Sequence, residues 1–321
     1  MKLLSTWQEQ PPLLTFAMGP LQSAGVFFVF IFLGAALLAP WLYKLTLWMA
    51  TILPALEPVA KNPFHRYVNR SLLGLALVGL WPWLYNIGIR TWAEVGVGKR
   101  ASFRNLLAKG FLLGFASLAC VVLLAVAFGG RAFDEHHSAW QWIKHVGEAA
   151  LTAIFVATIE EIVFRGALFG ALRKAMPWPA ALIGSSASYA LVHFFERATF
   201  TGPIDWTSGF KVLAQMLQGF GSIEMLVPGF FNLTLAGIIL GLGYQRSGSL
   251  YFSIGLHGGW IFWLKSYGFV TQERDGVNTW FCGTERLIDG WLALAILLLV
   301  LVLIGRTKLP FGSDKRGHHS D

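Results

Sequence analysis

The chain has 321 residues, of which 55% are hydrophobic and only 13% charged, with 14 Trp and 26 Phe. A water-soluble domain carries about 25% charged residues, so the composition excludes an ordinary soluble globule and points to a bilayer as solvent. The net charge of +8 does not indicate nucleic acid, because the Lys and Arg residues cluster between apolar stretches and in the tail, as membrane-flanking residues do.

The N-terminal segment, 1–21, carries Lys2 and then a polar, proline-containing stretch, Gln8 to Pro12. That is a poor secretory signal, and the first span is expected to stay in the mature protein. Apolar runs near 22–42, 71–90, 110–128, 148–172, 178–196, 228–245, 249–266 and 288–305 approach or exceed the length needed to cross a hydrocarbon core of about 30 Å. They predict an all-α fold, a polytopic transmembrane helical bundle of about eight spans. The stretch 43–57 is also apolar but contains Lys44 and Pro54, and reads as an interfacial helix or a longer first span. Residues 22–147 then hold the N-terminal helices, 148–266 the core carrying the unusual polar groups, and 267–305 a loop and the last helix. The tail 306–321, with Lys308, Lys315 and Arg316, is basic and expected to be disordered.

Glycine pairs at helical spacing, Gly110/Gly114, Gly166/Gly170, Gly237/Gly241 and Gly255/Gly259, suggest close helix packing, although glycine is frequent throughout this chain. Cys120 lies in an apolar span and Cys282 in a loop, so neither a disulfide framework nor a metal-type cysteine spacing is expected. With the N-terminus in the cytoplasm, that side receives Lys99, Arg100, Arg104, Lys109, Arg173, Lys174, Arg246 and the tail. Lys61, Arg66 and Arg70 would lie outside, against the trend.

The informative residues are ionisable groups inside apolar spans. The fourth span contains Glu160, Glu161 and Arg165. One such charge at mid-membrane costs roughly 2.5–3.5 kcal/mol on insertion scales, so three on one helix must face a polar interior. Glu161 and Arg165 are four apart and can pair on one face. Glu160 points about 100° away and can reach a different neighbour, although a polar staple between helices would also explain the three. The fifth span adds Tyr189 and His193, the seventh His257. His193 lies about 15 residues into its span and Glu160 about 12 from the end of the one before, which gives similar depths in an antiparallel pair.

A carboxylate beside a neutral imidazole can hold and deprotonate a water, making a nucleophile for an amide carbonyl. A second histidine donating N–H can stabilise the oxyanion that forms. Ser185, Ser186 and Ser188 lie near His193 in sequence, but small polar residues at a helix interface more often serve packing.

The order Glu160-Glu161-Ile162-Val163-Phe164-Arg165, then Tyr189 to His193, then His257 within the stretch from Gly248, resembles the CPBP family. That family comprises type II CAAX prenyl proteases and bacteriocin-processing enzymes, and the resemblance covers about residues 148–266. It implies a metal-independent glutamic intramembrane endopeptidase that needs no cofactor. Glu160 and His193 would activate water, His257 would contribute to the oxyanion site, and Glu161 and Arg165 would support it. The implied partners are a membrane-associated protein or peptide substrate and the lipid bilayer, not nucleic acid. A bacterial inner membrane is the expected location. Two positions depart from the family pattern. Tyr189 stands where Phe is commoner, and Ile261 stands four residues after His257, where Asn or Asp is usual. Asn232 on the sixth span is a candidate replacement donor, and Tyr189 a candidate support.

Three rival readings remain at this stage. His193, His257 and a glutamate could hold zinc, although no His-x-x-x-His pair is present. Intramembrane Glu, Arg and His also mark proton-coupled transport, which usually brings internal repeats that this sequence lacks. Ile261 also allows a scaffold or immunity protein that keeps the fold with weakened catalysis.

Overall fold

The computed structural model describes residues 18–98, 102–195, 198–221, 226–274 and 279–307. Lys2, the Gln8–Pro12 stretch, Lys99, Arg100, Lys308, Lys315 and Arg316 lie outside the described residues. Among those described, the helices of nine residues or more are α1 (Pro20–Ile52), α2 (Phe64–Asn86), α3 (Phe103–Ala127), α4 (Ala139–Glu161), α5 (Trp178–His193), α6 (Ser208–Met216), α7 (Phe231–Ser247), α8 (Leu250–Val270) and α9 (Trp291–Arg306). The fold is all-α. Its small β component is an antiparallel pair, β1 (Arg131–Phe133) with β2 (Thr271–Glu273).

Local sequence explains where the helices begin and end. Pro20 opens α1, where its missing N–H would have had no intrahelical partner anyway. Ser138 and Gln141 close a reciprocal capping box at the start of α4, satisfying two orphan donors. Gly248, in the left-handed region at φ +61°, ends α7, and Ser249 caps α8 directly after it.

Contacts between helix ends define the polarity of the bundle. Asn86 donates to Ser23 Oγ at 2.8 Å, Lys174 donates to Ile87 O, and Arg246 donates to Ile304 O at 3.1 Å. The Phe103 and Tyr251 rings meet at 5.4 Å. These pairs gather the starts of α1, α3 and α8 and the ends of α2, α7 and α9 at one end, together with the segment that continues α4. The β1–β2 pair ties the far ends of α3 and α8 together. Leaving α6 aside, successive helices therefore alternate in direction.

Each of the eight predicted apolar stretches falls on a helix or its continuation. Pro20–Ile52, Phe103–Ala127 and Leu226–Ser247 are long and apolar enough to cross a membrane by length and composition. The other stretches are shorter or carry charges, so an eight-span count does not follow from these two criteria. The segment after 42 resolves as a longer first helix, since α1 runs through Lys44 to Ile52. Trp41, Val78, Leu112, Ile143 and Phe155 are each more than 60% exposed. Large apolar side chains bared on several helices fit an outer surface solvated by lipid.

Lipid is as apolar as leucine, so helices here must be held by close packing and interior hydrogen bonds. The α3–α8 interface meets that requirement. A Cβ on Gly110 would stand 2.1 Å from Phe252 O, one on Gly114 2.1 Å from Leu256 O, and one on Gly255 2.1 Å from Leu107 O. The predicted pairs Gly110/Gly114 and Gly255/Gly259 thus face each other, backbone on backbone. Trp260 Nε1 donates to Ser117 Oγ at 2.9 Å across the same seam. One buried apolar cluster joins α1, α2, α4, α5 and α8, and a second joins α3, α7, α8 and α9. α8, which carries His257, belongs to both.

Hydropathy did not anticipate α6, a short helix in the connection between α5 and α7. Pro40 inside α1 removes the N–H that would bond Ala36 O. α6 lays Gly209 on that carbonyl, where a Cβ would stand only 2.0 Å from the oxygen.

Candidate active site

α4 does not stop at Glu161. It widens into π geometry over Ile162–Phe169 and returns to α over Gly170–Ala175. Such widened turns recur at functional sites, because the added residue re-aims side chains. Glu160 and Glu161 stand just before the widening and Arg165 within it. The two glutamates, adjacent in sequence, address different helices, Glu160 facing His193 of α5 and Glu161 facing His257 of α8.

Glu161 is the hub of the inner layer. Its Oε1 accepts from Arg165 Nη1 at 2.9 Å and lies 2.9 Å from His257 Nδ1. Arg165 is fixed a second time, as Nη2 donates to Gly237 O on α7 at 3.2 Å, and its guanidinium lies 4.5 Å from the Tyr189 ring centroid. The Gly237 anchor was not anticipated as a site contact. The Gly237/Gly241 pair had signalled only packing, and a Cβ on Gly237 would press on Ser186 at 2.8 Å.

Glu160 and His193 form the outer layer. Glu160 Oε2 is 3.0 Å from His193 Nε2 and 3.7 Å from His257 Nε2. The 3.0 Å approach is close but not aligned as a hydrogen bond, and Glu160 Oε2 has no hydrogen-bond partner among the described residues. Side-chain exposure separates the layers, at 22% for Glu160 and 28% for His193 against 0%, 3% and 4% for Glu161, Arg165 and His257.

Proton positions follow from what each ring nitrogen faces. His193 Nδ1 lies 2.8 Å from Tyr189 O; a carbonyl can only accept, so Nδ1 carries a hydrogen. In a neutral ring Nε2 would then present a lone pair to Glu160. With both groups unprotonated, two lone pairs would face each other at 3.0 Å, so the geometry favours a pair that carries one proton. His257 Nδ1 likewise donates to the Glu161 carboxylate, and His257 Nε2 is 3.3 Å from the Tyr189 hydroxyl.

The remaining sequence candidates sit apart from this cluster. Asn232 is fully buried, and its Nδ2 donates to Ile288 O at 2.8 Å and Gly290 O at 3.0 Å. Both amide hydrogens are thereby spent on the loop before α9. Ile261 is buried in the first apolar cluster. Ser185 and Ser188 turn their hydroxyls back to Leu182 O and Gly184 O. A cavity of about 20 Å³, lined by Tyr189, His257, Leu118, Leu233, Ala236 and Trp260, adjoins the inner layer. A single water needs about 10–15 Å³ on this measure. Among the described residues, no three His, Cys, Asp or Glu side chains are arranged to hold a metal ion.

Fold and site together define a helical membrane protein with a two-layered carboxylate–histidine cluster inside the bundle. Residues 140–263 match the family described as type II CAAX prenyl endopeptidase, Rce1-like. The matched segment carries all five ionisable site residues. Comparison with curated proteins and with solved structures gives no match.

Proposed function

We propose that this protein is an intramembrane endopeptidase that cleaves a membrane-associated peptide or protein with a water activated by Glu160 and His193. The supporting observation is the 3.0 Å approach of Glu160 Oε2 to His193 Nε2 on the partly exposed face of a buried ionic cluster. A water seated against this pair would give a proton to the Glu160 carboxylate while its oxygen attacks the amide carbon. The carbonyl oxygen then carries negative charge, and hydrogen-bond donors beside it lower the barrier. When the C–N bond breaks, the pair returns a proton to the leaving amine and is left with the single proton it began with. Glu161, Arg165 and His257 act from behind, fixing the orientation of the site. The surrounding bundle is read as eight antiparallel spans.

The test uses full-length protein in nanodiscs, incubated with a quenched peptide library and a membrane-protein extract. Wild type is compared with Glu160→Gln and His193→Ala, with and without chelator. Cleavage that survives chelator and falls by about 10²–10⁴ in the folded variants is expected for general-base catalysis. Cleavage abolished by chelator and restored by metal would move the reading to a metalloprotease. A folded wild type that cleaves nothing would favour a non-catalytic scaffold or a transporter.

A further inference from the structure

We propose that the Tyr189 hydroxyl is a catalytic hydrogen-bond donor that serves the oxygen on which negative charge collects. The inference rests on the hydrolytic reading above and assigns its missing donor. Several donors around the cluster are already engaged. Arg165 directs one Nη1–H at Glu161 and one Nη2–H at Gly237 O. His193 Nδ1–H is directed at Tyr189 O, and its Nε2 faces Glu160 Oε2 at 3.0 Å. His257 directs Nδ1–H at Glu161, while its Nε2 faces the Tyr189 hydroxyl at 3.3 Å and Glu160 Oε2 at 3.7 Å. Asn232 is bound to the loop before α9, and the buried Ile261 offers no donor one turn beyond His257.

The Tyr189 hydroxyl faces a ring nitrogen rather than a carboxylate or a backbone carbonyl. It lies 3.3 Å from His257 Nε2. The ring is buried at 4% exposure, held edge-on by Phe164 at 5.2 Å and by the Arg165 guanidinium at 4.5 Å. These contacts fix the phenol plane and leave the C–O torsion free. A water-sized cavity lined in part by Tyr189 and His257 adjoins this residue. As the substrate carbonyl oxygen gains charge, the O–H turns to it, keeping its own proton. The same residue supplies the carbonyl that orients His193, so one side chain and its backbone serve both layers.

The experiment compares wild type, Tyr189→Phe and Tyr189→Phe/Ile261→Asn in the nanodisc cleavage assay, with thermal stability measured for each. Tyr189→Phe is expected to lower kcat by about 10²–10³, the usual effect of losing one oxyanion donor, with KM changed no more than a few-fold. An amide at position 261 is expected to restore part of kcat in the double variant, which a merely structural tyrosine would not allow. Should Tyr189→Phe unfold, a fluorinated tyrosine at 189 keeps the shape and alters the acidity of the hydroxyl, and a shifted kcat is then expected. Wild-type kcat in a folded Tyr189→Phe protein, alongside an inactive Glu160→Gln, would overturn this assignment and leave the hydrolytic reading standing. An inactive wild type would overturn both.

Discussion

Gly114→Ala changes a helix that carries no site residue, yet it should disturb the site through the backbone of α8. The new methyl carbon would stand 2.1 Å from Leu256 O and 2.9 Å from Leu256 C. A carbon–oxygen contact relaxes at about 3.3 Å, so α3 and α8 must separate by roughly 1.2 Å at this point. Neither neighbour is a flexible side-chain tip; both are main-chain atoms in helices that also meet at Gly110, Gly255 and Gly259. Overpacking of this kind costs about 1–3 kcal/mol. Leu256 immediately precedes His257, whose 2.9 Å bond to Glu161 cannot absorb a displacement of that size. Misplacement by about 1 Å can cost up to 10²-fold in rate.

The assay pairs thermal unfolding in detergent with cleavage by the same preparation, with Gly74→Ala and Gly147→Ala as controls. Neither control glycine has an atom within 4 Å of its added Cβ. Both substitutions lie inside helices and should be neutral or stabilising by up to about 1 kcal/mol. A Gly114→Ala protein as stable and as active as these controls would refute the close backbone packing from which the displacement was worked.

Arg165→Ala leaves the fully buried Glu161 with His257 Nδ1 alone as its recorded partner and should destabilise the fold by about 3–5 kcal/mol. Arg165→Ala/Glu161→Gln should recover part of that loss in a chemical-denaturation cycle; strict additivity would mean the two do not interact. Gly209→Ala should free α6 from α1, seen as faster amide hydrogen exchange over 208–216; unchanged exchange would argue against the contact at Ala36 O. Hydrogen bonds from Thr207, then Ser208, hold the Asp205 carboxyl below its ordinary range. Its contribution to α6 is therefore present above the unfolded carboxylate pKa of about 3.9 and is lost as pH falls further; protection over 208–216, corrected for the intrinsic exchange rate, should fall in acid, and less so in Asp205→Asn. Burial pushes the Cys282 thiol up, so maleimide labelling near neutral pH should be slow until the protein is denatured. Rapid labelling of folded protein would contradict its burial.

Much of the candidate site could be read from the sequence because a membrane makes charge conspicuous. Glu160, Glu161, Arg165, His193 and His257 stood out by the cost of placing them in hydrocarbon, and the roughly 100° step between adjacent helical residues separated the two glutamates. Other features depend on information that spacing does not carry. The π turns over 162–169 do not follow from residue type, and the anchor at Gly237 O is a backbone acceptor with no side-chain signature. α6 is short and half polar, and its place on α1 depends on a carbonyl freed by Pro40, a distant effect that no hydropathy window registers. Asn232 was a reasonable donor candidate by residue type and depth. Only the loop carbonyls of Ile288 and Gly290 reveal that its hydrogens are spent.

The layering of the site also bears on why five ionisable residues stand where two would suffice for the chemistry. In the proposed reaction Glu160 and His193, with 22% and 28% of their side chains exposed, meet the water and the substrate. The buried layer would hold them in place without competing for substrate. Glu161 holds His257 by Nδ1, Arg165 holds Glu161 and is itself pinned to α7, and Tyr189 joins His257 to the backbone acceptor of His193. The links are 2.8–3.3 Å long, all but the one at His193 are buried, and together they span α4, its continuation, α5, α7 and α8. Replacing Arg165 by Lys would keep the charge but give up the planar fork that reaches Glu161 and Gly237 together. If orientation is the purpose of the inner layer, Arg165→Lys should leave substrate KM nearly unchanged while lowering kcat, in a protein that still folds. If the inner layer is only a staple, kcat should follow stability alone, and conditions that restore the fold should restore the full rate.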